Sequence, residues 1–231
     1  MRVTPLSTNK ANVSAFATII LPMARSTSSL NGKSWIRKKP QLANQLQINM
    51  NVGAVVTSEL QTPKQVISVQ DGRPIMPFYT HRYCFSNFFQ TKFKFDGHEF
   101  YTSEQAFMYS KAKQFKDDQS KEAILRETDP KRCKMLGRKV SGFDKTLWDQ
   151  ISLNIMVEVL REKFGQNQTL REFLIGTGNA LLAEAAPRDR IWGIGMGENN
   201  PKVANPKLWR GRNLLGVALM QVREELKTSN T

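Results

Sequence analysis

The sequence predicts an α+β protein: a mostly helical single domain with a small β-hairpin or sheet, preceded by a disordered N-terminal extension. Three observations carry this reading. Residues 1–70 differ in composition from residues 71–231, one stretch alternates on both sides of an Asp-Gly turn, and a succession of segments repeats apolar residues at helical spacing. At 231 residues the chain exceeds a typical domain of roughly 100–150 residues, so one domain plus a tail is the default.

In residues 1–70 Glu59 is the single acid, against Arg2, Lys10, Arg25, Lys33, Arg37, Lys38, Lys39 and Lys64. A basic, hydroxyl-rich, acid-poor segment has the composition of an organelle presequence. It is equally what a disordered tail with too little apolar surface to fold looks like. Ala15 to Met23 is a short apolar run of secretory type, but a chain with only Cys84 and Cys133 has no disulfide framework to suggest export. The expected location is cytoplasmic, or mitochondrial or plastid if the extension is a presequence.

From Asp71 the composition is globular. Phe78-Tyr79 and Phe85 to Phe89 are short, aromatic and bounded by turn formers, as strands or a strand entering a loop are. Lys92 to Tyr101 predicts a hairpin with a type I′ turn at Asp96-Gly97, burying Phe93, Phe95 and Phe100 and leaving His98 exposed. Thr102-Ser103-Glu104-Gln105 fits a capping box opening a helix that runs to about Phe115. Further helices are expected over Asp118–Thr128, from Pro130 to near Gly137, over Lys145–Phe164, Gln168–Ile175 and Gly178–Ala186, and finally over Pro206–Lys227. In the longest of these, Leu147, Ile151, Ile155, Val159 and Phe164 form the expected core stripe.

Ala183 to Gly216 concentrates acids, arginines, tryptophans and glycines. Gly193, Gly195 and Gly197 at alternate positions let the backbone approach a ligand or another chain segment closely. Trp209 to Asn213 opens the last helix, whose first amides suit an anion. This reads as the floor of a pocket for a nucleotide or sugar phosphate, or as a buried strand, a glycine turn and a capped helix holding no ligand. With 34 basic against 20 acidic residues the net charge is +14, which favours phosphates, nucleotides or nucleic acid as partners. No metal-ligand spacing joins the cysteines to His81 or His98, so neither metal nor cofactor is expected. No apolar run approaches the ~20 residues that span a bilayer.

Several ordered blocks resemble the NADAR (YbiA-like) N-glycosidase family. They are Phe85-Ser86-Asn87-Phe88, Phe95-Asp96-Gly97, Ser103 to Phe107 with Lys111 following, Trp148, Glu184 to Gly195, and Trp209 to Gly216. The resemblance runs from about Phe78 to Glu225. It implies a compact α+β domain that cleaves N-glycosidic bonds to ribose without a metal. The substrates it implies are phosphoribosylamino-pyrimidine intermediates of riboflavin biosynthesis, yielding ribose 5-phosphate, or ADP-ribosylated guanine in nucleic acid. Carried onto this chain, Glu104, Asp189 and Lys111 are the catalytic candidates. Asn87, Trp148, Trp192, Gly193, Arg212 and Asn213 are the candidates for binding substrate. Two departures stand out: Gln105 occupies a position where many relatives have His, and Glu198 to Lys207 is an insertion expected beside the pocket.

The chemistry agrees with that assignment. Breaking a ribosyl C–N bond builds positive charge on the sugar and needs a nearby carboxylate, while the leaving base needs a proton or hydrogen bond. Lys111 suits either phosphate neutralisation or Schiff-base attack on an opened sugar. A tryptophan would stack on the base, and Arg212 with the last helix would hold phosphate. Structural readings compete at each position: Glu104 as a favourable charge at a helix start, Lys111 on a solvated face, Trp148 in the core. A non-catalytic nucleotide or nucleic-acid binding module is the alternative from another class. Oligomeric state is not legible in the sequence.

Overall fold

The structure, a computed structural model, describes residues 60–228. The presequence reading of the N-terminal extension falls mainly on residues outside them. Within the described part of that segment, Val66–Ile67 (β1) pairs antiparallel with Pro74–Phe78 (β2). β2 runs parallel to Leu181–Glu184 (β5), giving a three-stranded sheet of order β1-β2-β5 in which Phe78 lies opposite Glu184.

The second sheet is the expected hairpin, Phe93–Phe95 (β3) with His98–Phe100 (β4). Asp96 and Gly97 have φ of 50° and 78°, the left-handed pair that a type I′ turn requires. Phe93 and Phe100 are buried, Phe95 is half-buried and His98 is exposed.

Six α-helices make up most of the domain. They are Ser103–Gln114 (α1), Asp118–Arg126 (α2), Pro130–Gly137 (α3), Lys145–Gly165 (α4), Gln168–Gly176 (α5) and Leu214–Thr228 (α6). Each of the first five starts on a side-chain cap: Thr102, Asp117, Asp129, Asp144 and Asn167 each accept a hydrogen bond from a first-turn amide. Gln105 is fully buried and completes a variant of the capping box, its Oε1 accepting from Tyr101 N while its Nε2 donates to the carbonyl of Ile124. This buried amide is a structural brace.

Four expectations need correction. Phe85 to Phe89 forms turns and not a strand, with Ser86 N donating to Tyr83 O and Phe89 N to Ser86 O. The helix expected over Gly178–Ala186 is β5. Gly178 takes φ of +62° just after the α5 cap at Thr177, which ends helical continuation, and Leu181 to Glu184 then finds a ladder on β2. The last helix begins at Leu214, not Pro206. Residues Pro201–Ala204 and Pro206–Leu208 form two 3-10 turns, and Asn213, at φ of 54°, separates the loop from α6. In α4 the buried side is Ser152, Met156, Val159 and Lys163 with Val157, Leu160 and Phe164, whereas Leu147, Ile151 and Ile155 are half-buried. α4 packs against both α1 and α6, so it buries a wider arc than one narrow stripe.

That arc includes a lysine. Lys163 is fully buried, its Nζ donating to the carbonyl oxygen of Ser86 at 2.9 Å and lying over the rings of Phe89 and Phe164 at 5.6 and 5.3 Å. Loss of hydration pushes its ammonium down to about 7. The main core around Phe78, Phe85, Phe100 and Phe164 therefore carries one polar tether, to the loop that forms one side of the cleft.

Candidate functional site

β5 delivers Glu184 at its C-terminal end, where the parallel pair opens. The backbone of Glu184 is held on both sides. Its N–H donates to Asn213 Oδ1 at 3.0 Å, and its carbonyl accepts from Ala186 N and Ile194 N at 2.9 and 2.8 Å. α1 delivers Glu104 from its first turn, with Glu104 N donating to the Asn87 carbonyl at 2.9 Å. The turn after β5 delivers Asp189, whose Oδ1 accepts from the amides of Ile191 and Trp192 at 2.9 and 2.8 Å.

These three acids line one cleft of about 540 Å³. Glu104 is 4% exposed and its Oε1 has no hydrogen-bond partner; Glu184 Oε2 and Asn87 Oδ1 are likewise buried without one. Such atoms are costly to leave unmade, and three of them cluster in this cleft. Burial raises the carboxyl of Glu104 above its ordinary value; the charge of Asp189 adds to this, and the cations Lys134 and Arg138 oppose it. Glu184 is pushed up to about 8, again by burial first, then by Asp189 and Glu104 against Lys134. Burial and the neighbouring acids thus favour a retained proton on Glu184 at neutral pH.

Glu184 was not a candidate from the sequence, although it opens one of the blocks quoted above. The helix expected over Gly178–Ala186 contains it, and a helix there gives an acid no special position. Only as the last residue of a buried parallel strand does it point to a site, since ligands gather at the carboxyl ends of such strands.

The aromatic wall comes from Trp192 and Phe88, with Phe107 behind them. The Phe107 ring stands between two tryptophans, 5.0 Å from Trp192 in an edge arrangement and 5.1 Å from Trp148. Trp148 is outside the cleft lining and packs on Phe107 and Phe115. The rim carries Lys131, Lys134 and Arg138 from α3 and Arg188 from the loop after β5.

The other candidates are placed as follows. Asn87 and Trp192 line the cleft with Glu104 and Asp189. Lys111 does not: its Nζ donates to the carbonyl oxygen of Gly137 at 2.8 Å and sits 3.8 Å from the centre of the Phe143 ring. Partial burial lowers its ammonium below the ordinary lysine value. Gly193 serves close packing of chain on chain, since a Cβ there would meet Glu184 O at 2.9 Å and Asp189 O at 3.0 Å. Asn213 is buried and stitches backbone, with Nδ2 donating to Leu182 O at 2.8 Å. Arg212 is exposed and outside the cleft lining. The anion seat expected at the last helix is filled by the chain itself: the amides of Asn213, Leu214 and Leu215 donate to the carbonyls of Gly193, Ile191 and Trp192.

The Glu198–Lys207 insertion also lies elsewhere. None of its residues lines the cleft; Val203 packs with Ile75, Ala183, Ile194 and Met196, and Ala204 O accepts from Val69 N. It covers the outer sheet.

Two carboxyls of raised pKa, Glu104 and Glu184, beside Asp189 under an aromatic wall and a cationic rim give this α+β domain the equipment of a glycosidase. The NADAR domain profile matches residues 77–227, and the chain belongs to that family. It is 38% identical over 148 residues to N-glycosidase R617 of Acanthamoeba polyphaga mimivirus, covering 62% of this chain and 87% of that one. Over 119 residues it is 35% identical to riboflavin biosynthesis protein VVA0006 of Vibrio vulnificus, covering 52% of this chain but 29% of that larger protein. The NMR structure of the E. coli protein YbiA superposes with a TM-score of 0.58 at 30% identity, covering 75% of this chain and 93% of YbiA. The YbiA-like α+β fold and the N-glycosidase class expected from the sequence agree with these relatives. Among the described residues no helix is long and apolar enough to cross a membrane.

Proposed function

We propose that the protein is an N-glycosidase that hydrolyses the ribosyl C–N bond of phosphoribosylamino-pyrimidines, releasing ribose 5-phosphate. The carrying observation is the trio Glu104, Glu184 and Asp189 in one cleft, with Glu184 raised to about 8. A carboxyl that keeps its proton at neutral pH is a general acid for a poor leaving group. In this reading Glu184 gives its proton to the departing nitrogen, which leaves with the electron pair of the C–N bond. The charge of Asp189 stabilises the cationic sugar. Water then adds to the anomeric carbon, and the proton it loses returns to the Glu104–Glu184 pair. Trp192 stacks on the base.

The name of the Vibrio relative supports a riboflavin-pathway substrate. A second reading, removal of ADP-ribose from guanine in nucleic acid, is favoured by the length of the cationic rim. From Lys131 to the cap residue Arg138 the cations extend over seven helical steps, about 10 Å, which is long for one phosphate. Incubation with a phosphoribosylamino-pyrimidine and, separately, ADP-ribosylated guanine DNA tests both, with mass detection of the freed base and sugar. Release from neither, under conditions where the protein is folded, overturns the N-glycosidase reading.

A further inference from the structure

Resting on that reading of the cleft, we propose that the cleft-facing side of α3 and its C-cap is the phosphate-binding subsite, built from Lys131, Lys134 and Arg138, with Arg188 from the loop after β5 lining the same cleft. The expected seat at the start of α6 cannot serve, because its amides are already bonded to backbone carbonyls. The anionic end of the substrate needs another place, and the cleft offers one.

Spacing supplies the first argument. Positions 131, 134 and 138 recur at three and four residues, so they share one helix face, and all three line the cleft. Like charges at that spacing repel one another on a bare helix, and Lys131 in the first turn also opposes the helix dipole. The cleft carboxyls offset part of that repulsion, since Lys134 and Arg138 act on Glu104 and Lys134 on Glu184, and an added phosphate would offset more.

Pairing supplies the second. Arg132, on the same helix but outside the cleft, reaches Glu127 at 3.7 Å. Asp129 spends its carboxylate on the amide of Lys131 as the helix cap. Among the described residues, Lys131, Lys134, Arg138 and Arg188 make no ion pair, whereas their neighbours Glu127 and Asp129 are engaged elsewhere. Lys134 Nζ lies over the Phe88 ring, 5.7 Å from its centre, which keeps the ammonium at the cleft wall.

The helix is also firmly seated. Gly137 lets α3 approach α1 so closely that a Cβ there would meet Met108 Sδ at 2.0 Å, and Met108 itself lines the cleft one turn beyond Glu104. The cationic face is thus fixed over the carboxyl that the reaction uses. Acids at the floor and cations at the rim sort a substrate by its ends: anomeric carbon inward, phosphate outward.

The test is direct binding to the full chain, by calorimetry, of ribose, ribose 5-phosphate and ADP-ribose. Ribose 5-phosphate or ADP-ribose should bind at least roughly tenfold more tightly than ribose, since charge-assisted contacts are the strong ones. Lys131→Ala with Arg138→Ala should remove that advantage, weakening the phosphorylated ligand roughly tenfold or more while leaving ribose unchanged. Arg132→Ala serves as the control and should bind like the parent. Ribose 5-phosphate losing most assigns the seat to a monoester; ADP-ribose losing most assigns it to a diphosphate; either supports the subsite. Equal affinity for ribose and both phosphorylated ligands, or a double variant that binds them as the parent does, overturns it. Because no turnover is needed, the subsite can stand if N-glycosidase activity fails. A glycosidase that cleaves phosphorylated and dephosphorylated substrates equally well removes the subsite and leaves the activity.

Discussion

Asn213 holds Glu184 by its backbone, accepting from the Glu184 amide at 3.0 Å while donating to Leu182 O at 2.8 Å. One amide side chain thus fastens the end of β5 to the start of α6, and sets the position of a carboxyl it never touches. Asn213→Gly keeps the left-handed backbone, at φ of 54°, and deletes only those two bonds. We expect a loss of about 2–3 kcal/mol in urea unfolding, since buried backbone groups are left without partners. A substrate contact at Asn213 would instead leave stability intact and raise KM alone.

Glu184→Gln should cut base release by about 10²–10⁴, the range for a lost general acid. Its stability has a pH signature. The folded carboxyl titrates at about 8 and a free one at 4.5, so the native state binds the extra proton between those values. Parent stability therefore falls as pH rises from about 4.5 to about 8. The Gln variant should lack this part of the slope and gain on the parent towards pH 8; parallel curves would show that Glu184 is not buried as described.

Lys163 has the opposite sign. Its folded amine titrates at about 7 and a free one at 10.5, so the unfolded state holds the extra proton and stability rises across that window. Lys163→Met should be more stable than the parent below about pH 7, where the parent buries a charge, with the difference shrinking by pH 10. Ser86 O keeps a partner in the variant, the Phe89 amide at 3.2 Å. Thermal melts across pH decide this.

Lys111 terminates α3, placing a cation on the carbonyl of Gly137. Lys111→Met should cost about 1 kcal/mol, by loss of that bond and of the charge at the helix end. To reach a sugar carbon the amine would first have to leave Gly137. Trapping with borohydride and ribose 5-phosphate, followed by peptide mass mapping, reads out whether it does.

Gly137→Ala should destabilise by about 1–3 kcal/mol through overpacking on Met108. The double variant Gly137→Ala with Met108→Ala should recover part of that loss, because the alanine methyl enters space the methionine vacates. A double-mutant cycle with no coupling would mean that α3 and α1 do not meet there.

Helices and hairpin were legible because their signals are local: Thr102, Pro130 and Asp96-Gly97 each mark a boundary within four residues of the pattern it ends. β5 was not. A four-residue strand buried against α6 and β2 has no alternation to read, and its ladder partner lies over a hundred residues away. Glu184 went unseen for that reason. Asn213 and Gly193 lie outside the cleft lining for a different one: the residues that a chain needs for close backbone contact are the same types that ligands require. Glu104, Asp189, Asn87 and Trp192 do meet in the cleft, whereas Lys163 could not be inferred, since nothing in a helical pattern announces a lysine turned inward.

The β2–β5 pairing bears on how this chain becomes competent at all. Ile75 lies beside Leu181, so a loop of about a hundred residues must close before the sheet exists, and such distant pairings form late and slowly. The carboxyls at 104, 184 and 189 converge only afterwards, and Asn213 must have arrived to hold them. No fragment emerging from a ribosome, and no partly folded intermediate, can possess the cleft. Recovery of its ligand binding during refolding should therefore trail the helical signal.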